Sequence, residues 1–165
     1  MAKLEQVIMT AGLVLLASLA CKKGGDDYKG MTKVTLSTPV RGEIMLPASH
    51  SNAPSNVSAT FEGKVNEGRG SWTVVVRSAE AAPADLEAAS ERVKNRGTFE
   101  RPFKGTKLGD GDFLVPSASS EGVSYPENFT RFVAGAEVWC NTYGIPTEDT
   151  RPMLEKACRS FKLSK

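Results

Sequence analysis

The sequence predicts an α+β domain with an antiparallel sheet packed by two helices. Three observations carry that prediction. Several stretches alternate apolar and polar residues with a period of two, turn residues separate those stretches, and two other stretches carry the start and stop signals of helices.

The elements follow in chain order. "VTLSTPVRGEIMLP", from residue 34, is expected to give one or two strands. In "VSATFEG", Val57, Ala59 and Phe61 share one face against Ser58, Thr60 and Glu62, and in "SWTVVVRS", Trp72, Val74 and Val76 oppose Thr73, Val75 and Arg77. The turn-rich "KVNEGRG" between them predicts an antiparallel hairpin. "PADLEAASERVKNRG" opens at Pro83, has Asp85 and Glu87 in its first turn and Lys94 and Arg96 in its last, and precedes its stop at Gly97. Those charges complement a helix dipole, and Leu86, Ala89 and Val93 form the inner stripe. Gly109-Asp110-Gly111 predicts a second hairpin joining "PFKGTKL" to "DFLVPS". "NFTRFVAGAEVWCNTYG" is expected as one long strand bent at Gly135, with Phe132, Ala134, Ala136, Val138 and Cys140 on one face. "TRPMLEKACRSFKLSK" closes the chain as a helix capped by Thr150, with Leu154, Ala157, Cys158 and Phe161 on one stripe.

Ahead of this domain, residues 7–20, "VIMTAGLVLLASLA", contain no charge. The run is short for a membrane span, which needs about 20 residues, and matches the apolar region of a secretory signal. It ends at Ala20-Cys21 and gives way at once to "KKGGDDYKG". These residues resemble a bacterial lipoprotein precursor. The resemblance implies cleavage before Cys21 and a diacylglyceryl group on its sulfur, with membrane lipid as the partner. Ser18 stands where that family usually has leucine, and Ser18 with Ala20 also fits ordinary signal peptidase, so a soluble secreted protein is the alternative. Lys22 is not the aspartate that retains some lipoproteins in the inner membrane, so the same resemblance implies the outer membrane, facing the periplasm. The expected organisation is a signal peptide at 1–20, a lipid-anchored flexible tether at 21–30 and a globular domain at 31–165.

Export gives the cysteine count a meaning. Three cysteines are an odd number for an oxidising compartment, and acylation of Cys21 leaves Cys140 and Cys158 as a pair. Both fall on inward faces by strand and helix period, which predicts a disulfide tying the C-terminal helix to the sheet. Closing that loop of roughly 19 residues is worth about 3 kcal/mol on the chain-entropy model.

The ending "AEVWCNTYGIPTEDTRPMLEKACRSFKLS" resembles the PsbP-like fold of photosystem II extrinsic proteins and their bacterial relatives, over roughly residues 31–165. That resemblance implies a protein that acts by binding or assembling other proteins.

Catalytic and metal motifs are not apparent. The only histidine, His50, lies in the loop-like "PASHSNAPSN", and no Cys-x-x-Cys pair occurs, so no metal and no cofactor are expected. "LGDGDF" lacks the spacing of a calcium loop and is expected as a polar turn, while "KGTKLGDG" lacks the phosphate-loop spacing. A net charge of +2 is too small to imply nucleic acid. Charge is nevertheless clustered: Arg92, Lys94, Arg96, Arg101, Lys104 and Lys107 face only Glu100 over residues 92–107. The plain expectation is a solvated helix end and loop; the functional one is contact with lipid phosphates or an anionic envelope polymer. The sequence therefore predicts a membrane-tethered binding or scaffold domain with an envelope protein partner, and as the alternative a small envelope enzyme whose residues are scattered along the chain.

Overall fold

A computed structural model describes residues 28–79, 81–96, 100–144 and 149–164. Among them the chain runs β1 (Met31–Leu36), β2 (Gly42–Pro47), β3 (Ser51–Pro54), β4 (Ser58–Val65), β5 (Gly70–Ser78), α1 (Leu86–Lys94), β6 (Arg101–Pro102) and β7 (Thr106–Gly109). It continues through β8 (Asp112–Ala118), β9 (Asn128–Val133), β10 (Ala136–Gly144), α2 (Thr150–Ser160) and β11 (Lys162–Leu163). The class is α+β.

The first hairpin forms because its alternation matches across strands. Phe61 pairs with Val74 and Ala59 with Val76, and all four are buried. Val57 lies one residue before β4 and is exposed. Trp72 pairs with Gly63, where a Cβ would come within 2.5 Å of the indole, so only glycine lets the ring lie flat on β4. Antiparallel pairing extends this hairpin into an eight-stranded sheet of order β3-β4-β5-β10-β9-β8-β6, with β7 also paired to β8. A second sheet of order β1-β2-β11 stands apart.

The two faces of the large sheet are covered differently. On the inner face, Phe61, Trp72, Val74, Val76 and Val138 pack against Leu36, Ile44 and Leu46 of the small sheet and Leu154, Ala157 and Phe161 of α2. On the outer face, Ala89 and Val93 of α1 pack on Phe113, Val115 and Phe132, with Leu86 alongside. Asp85 caps α1, its carboxylate accepting from the Ala88 amide at 2.8 Å.

Four expectations are corrected. The stretch expected as one long strand is a hairpin, β9 and β10, reversed at Ala134-Gly135, with Gly135 at φ +79°. Because Val133 pairs with Ala136, Phe132 faces outward beside Glu137, and Arg131 points inward. The closing helix stops at Ser160; Phe161 is extended and β11 pairs with β2, so the final residues join a sheet. Asp149, not Thr150, occupies the cap position of α2, and the loop-like "SNAP" forms the edge strand β3.

Arg131 is an inward-facing cation only 8% exposed. Its Nε and Nη2 donate to the two oxygens of Asp112 at 2.9 and 2.7 Å. Its Nη1 donates to the carbonyls of Cys158, Arg159 and Phe161 at 3.2, 2.5 and 2.8 Å. The carbonyls at a helix end have no partner within the helix and carry the negative end of its dipole, so this guanidinium caps α2. Replacing Arg131 by Leu strands both Asp112 and those carbonyls, and breaking a buried pair in this way costs about 3–5 kcal/mol. Urea denaturation of Arg131→Leu should show that loss; a cost under about 1 kcal/mol would show that the cap is dispensable.

Candidate functional site

The outer face of the large sheet is covered by α1 only in part, and ionic groups gather where that cover ends. Glu137 is the second residue of β10, opposite Arg77 on β5 and Phe132 on β9. It is 5% exposed, which demands partners for its charge. Arg77 Nη2 donates to both carboxylate oxygens at 3.0 and 3.1 Å. Arg96, just beyond α1, donates from Nη2 to Oε1 and from Nη1 to Thr130 Oγ1 at 2.9 Å.

Arg96 also lies 5.9 Å from the Phe132 ring centre and 6.0 Å from that of Trp139. Burial lowers its pKa, and Glu137 partly offsets that effect. One helical turn back, Arg92 donates from Nη1 to the Ala81 carbonyl at 2.8 Å and stands 5.7 Å from the centre of the Phe132 ring. Two guanidiniums thus engage one carboxylate, and a third lies over the neighbouring ring.

An open cleft of about 410 Å³ adjoins this cluster, lined by Arg77, Ser78, Ala79, Ala81, Arg92 and Glu137. Ala79 donates to the Gly135 carbonyl at 3.1 Å, carrying the β5 to β10 pairing past the strand ends and fixing one wall. Two smaller hollows lie elsewhere: about 300 Å³ beside Glu100, Arg101 and Ser120, and about 160 Å³ beside Phe129, Arg151 and Glu155. Arg151 stacks at 4.0 Å over Tyr125 near the last. Further along the same outer face, Trp139 Nε1 and the side-chain oxygens of Asn128 and Asn141 are buried without a hydrogen-bond partner.

The basic run of residues 92–107 does not form one patch. Lys94 pairs with Glu91 at 3.3 Å and Lys107 with Asp110 at 3.0 Å, while Arg101 donates to the Val123 carbonyl and stacks 5.0 Å over Phe103. Only Arg92 and Arg96 converge on the Glu137 cluster. Sequence reasoning missed that cluster because Arg77, Arg96 and Glu137 are far apart in the chain; the available signal was a charged pair at matching ends of two apolar strands.

Cys21 and the signal segment lie outside the described residues. Cys140 and Cys158 are both fully buried and come within 2.9 Å of each other as free thiols. The predicted bond is therefore not closed in this structure, since a disulfide requires about 2.05 Å. Cys158 instead donates to the carbonyls of Phe129 at 3.4 Å and Val138 at 3.5 Å. His50 lies at a turn, its Nδ1 2.7 Å from the Pro47 carbonyl and its ring edge-to-face with Phe61. Among the described residues no group of three or more His, Cys, Asp or Glu side chains could hold a metal ion, and no helix is long and apolar enough to cross a membrane.

No protein-family model matches the chain, and no curated protein matches it.

The thiol pair generates a pH prediction. Burial pushes the Cys140 thiol well above its ordinary value, and the Cys158 contact adds to this while Arg131 opposes it. Below about pH 8.5 folded and unfolded chains both hold the Cys140 proton; above it the unfolded chain releases the proton first. Reduced protein should therefore lose about 1.4 kcal/mol of stability per pH unit from this thiol as pH rises from that point toward the raised folded value. Denaturant titrations of reduced wild type and Cys140→Ala across this range check it; equal slopes would show that the thiol is not held protonated.

Proposed function

We propose that this chain is a lipid-anchored protein of the bacterial cell envelope, held through Cys21 in the outer membrane facing the periplasm, and that its domain binds a partner rather than transforming one. The observation that carries the binding reading is the Arg77–Arg92–Glu137 cleft. Its one described carboxylate is already engaged by Arg77 and Arg96, so the cleft offers hydrogen-bond donors but no unengaged carboxylate base. Membrane attachment rests on the apolar run ending at Ala20-Cys21. Strand β1 starts ten residues past Cys21, and ten residues span at most about 35 Å, so the domain works close to the membrane surface.

The same proposal includes a PsbP-like fold, supported by an antiparallel sheet flanked by helices and by the passage from β10 to α2. It also includes a bond between Cys140 and Cys158, supported by their approach and by the oxidising compartment that export implies. Because both sulfurs are buried, the bond forms before α2 closes over the sheet, or during its opening.

Two outcomes follow. Cys21→Ser should move the protein from the membrane fraction to the soluble periplasm; a variant retained in the membrane with its apolar segment uncleaved would mean a helix anchor instead. If the wild-type mature chain begins at Cys21 without added lipid mass, it is the soluble secreted protein. Protein taken from the periplasm, denatured without reductant and treated with a thiol reagent should show neither Cys140 nor Cys158 modified, and both after reduction. Modification of both before reduction would refute the bond.

A further inference from the structure

We infer that the cleft between Arg77 and Arg92 is a binding site for a small molecule bearing a phosphoryl or carboxylate oxyanion. This inference rests on the binding reading above and names the chemical class of its ligand.

The charge balance comes first. Glu137 is the sole carboxylate among the described cleft residues, against Arg77 and Arg92, so the described lining carries a positive charge in excess, while Arg96 adds a second cation on Glu137 from outside the lining. The surplus sits at the cleft. Among the described residues Arg77 uses only Nη2, on Glu137, and Arg92 only Nη1, on the Ala81 carbonyl. Each guanidinium has five N–H donors, so several on each remain for a ligand.

The geometry holds these donors in place. Arg77 is fixed by Glu137, which is itself locked by Arg96 between two aromatic rings, and Arg92 is fixed by a main-chain carbonyl and by Phe132. Preorganised forks of this kind match the two oxygens of a carboxylate or phosphoryl group. A ligand that only donates, such as an ammonium, meets the wrong polarity here. The volume of about 410 Å³ exceeds that of a bare oxyanion and falls within the range of small-molecule sites, so the anionic group occupies the arginine end while the remainder lies against Ala79 and Ala81.

The test is a calorimetric titration of the purified full chain with pyrophosphate and with citrate, together with flotation of its Cys21→Ser form, which carries no acyl group at that position, on vesicles of phosphatidylglycerol in phosphatidylcholine. Saturable binding of a soluble anion is expected, weakened at least tenfold in Arg92→Gln and in Arg77→Gln and only partly restored in Arg77→Lys, which returns the charge but not the fork. In Glu80→Gln, which removes the carboxylate of the one intervening position outside the described residues, affinity should hold or rise. Binding to vesicles alone, lost in Arg92→Gln, would keep the oxyanion site and assign it to a lipid headgroup. No binding of either kind, or binding indifferent to both arginine variants, would overturn the inference. Fractionation of Cys21→Ser reports membrane attachment whatever the titration gives, so the two ideas fail separately.

Discussion

The bonding of Arg131 ties the end of α2 to the paired strands β8 and β9, with which that helix shares no backbone ladder. One guanidinium reaches Asp112 on β8 and three carbonyls at the end of α2, from a position on the inner face of β9. A charge so placed is costly unless every donor direction is used, and this one meets a bidentate carboxylate and a helix end of matching polarity. The position of α2 follows from that constraint. With its end fixed, Leu154, Ala157 and Phe161 meet Val138 and the small sheet, and Cys158 is brought to Cys140.

The outer face applies the same physics with a different result. There too a buried charge is answered by arginines, but Glu137 is a single carboxylate shared by two of them, with a third nearby. The inner cluster is closed by carbonyls and leaves Arg131 only 8% exposed. The outer one opens on a cleft, because α1 ends before it covers the beginning of β10.

What was legible in the sequence was local. The β4 to β5 hairpin, the turn at Gly109–Gly111 and the inner stripe of α1 depend on residues within a few positions of one another, although α1 begins at Leu86 with Asp85 as its cap and not at Pro83. The reversal at Ala134-Gly135 was not legible, because an apolar alternation can run through a two-residue turn without a break while the pairing of Val133 with Ala136 exchanges inside for outside. That exchange sends Phe132 to α1 and Arg131 to α2, neither of which parity along one strand predicts. The end of α2 was hidden for a related reason: its apolar stripe continues through Phe161, but the backbone there turns to join β2. The inward placement of Cys140 and Cys158 was readable from period alone, whereas the cluster of Arg77, Arg96 and Glu137 required three distant segments to be placed in space.

The small sheet has a mechanical meaning. Its strands β1 and β11, the first and last described in the chain, lie on either side of β2, and this sheet shares no ladder with the large one. A pull on the chain ahead of Met31 therefore loads six paired positions between β1 and β2 before any force reaches the eight-stranded sheet. Beyond that ladder, force passes through side-chain packing at Leu36, Ile44 and Leu46, through the Met45 N–H bond to Ser160, and along residues 48–50 into β3. The β1–β2–β11 sheet thus acts as a mechanical fuse that can yield while the cleft keeps its shape.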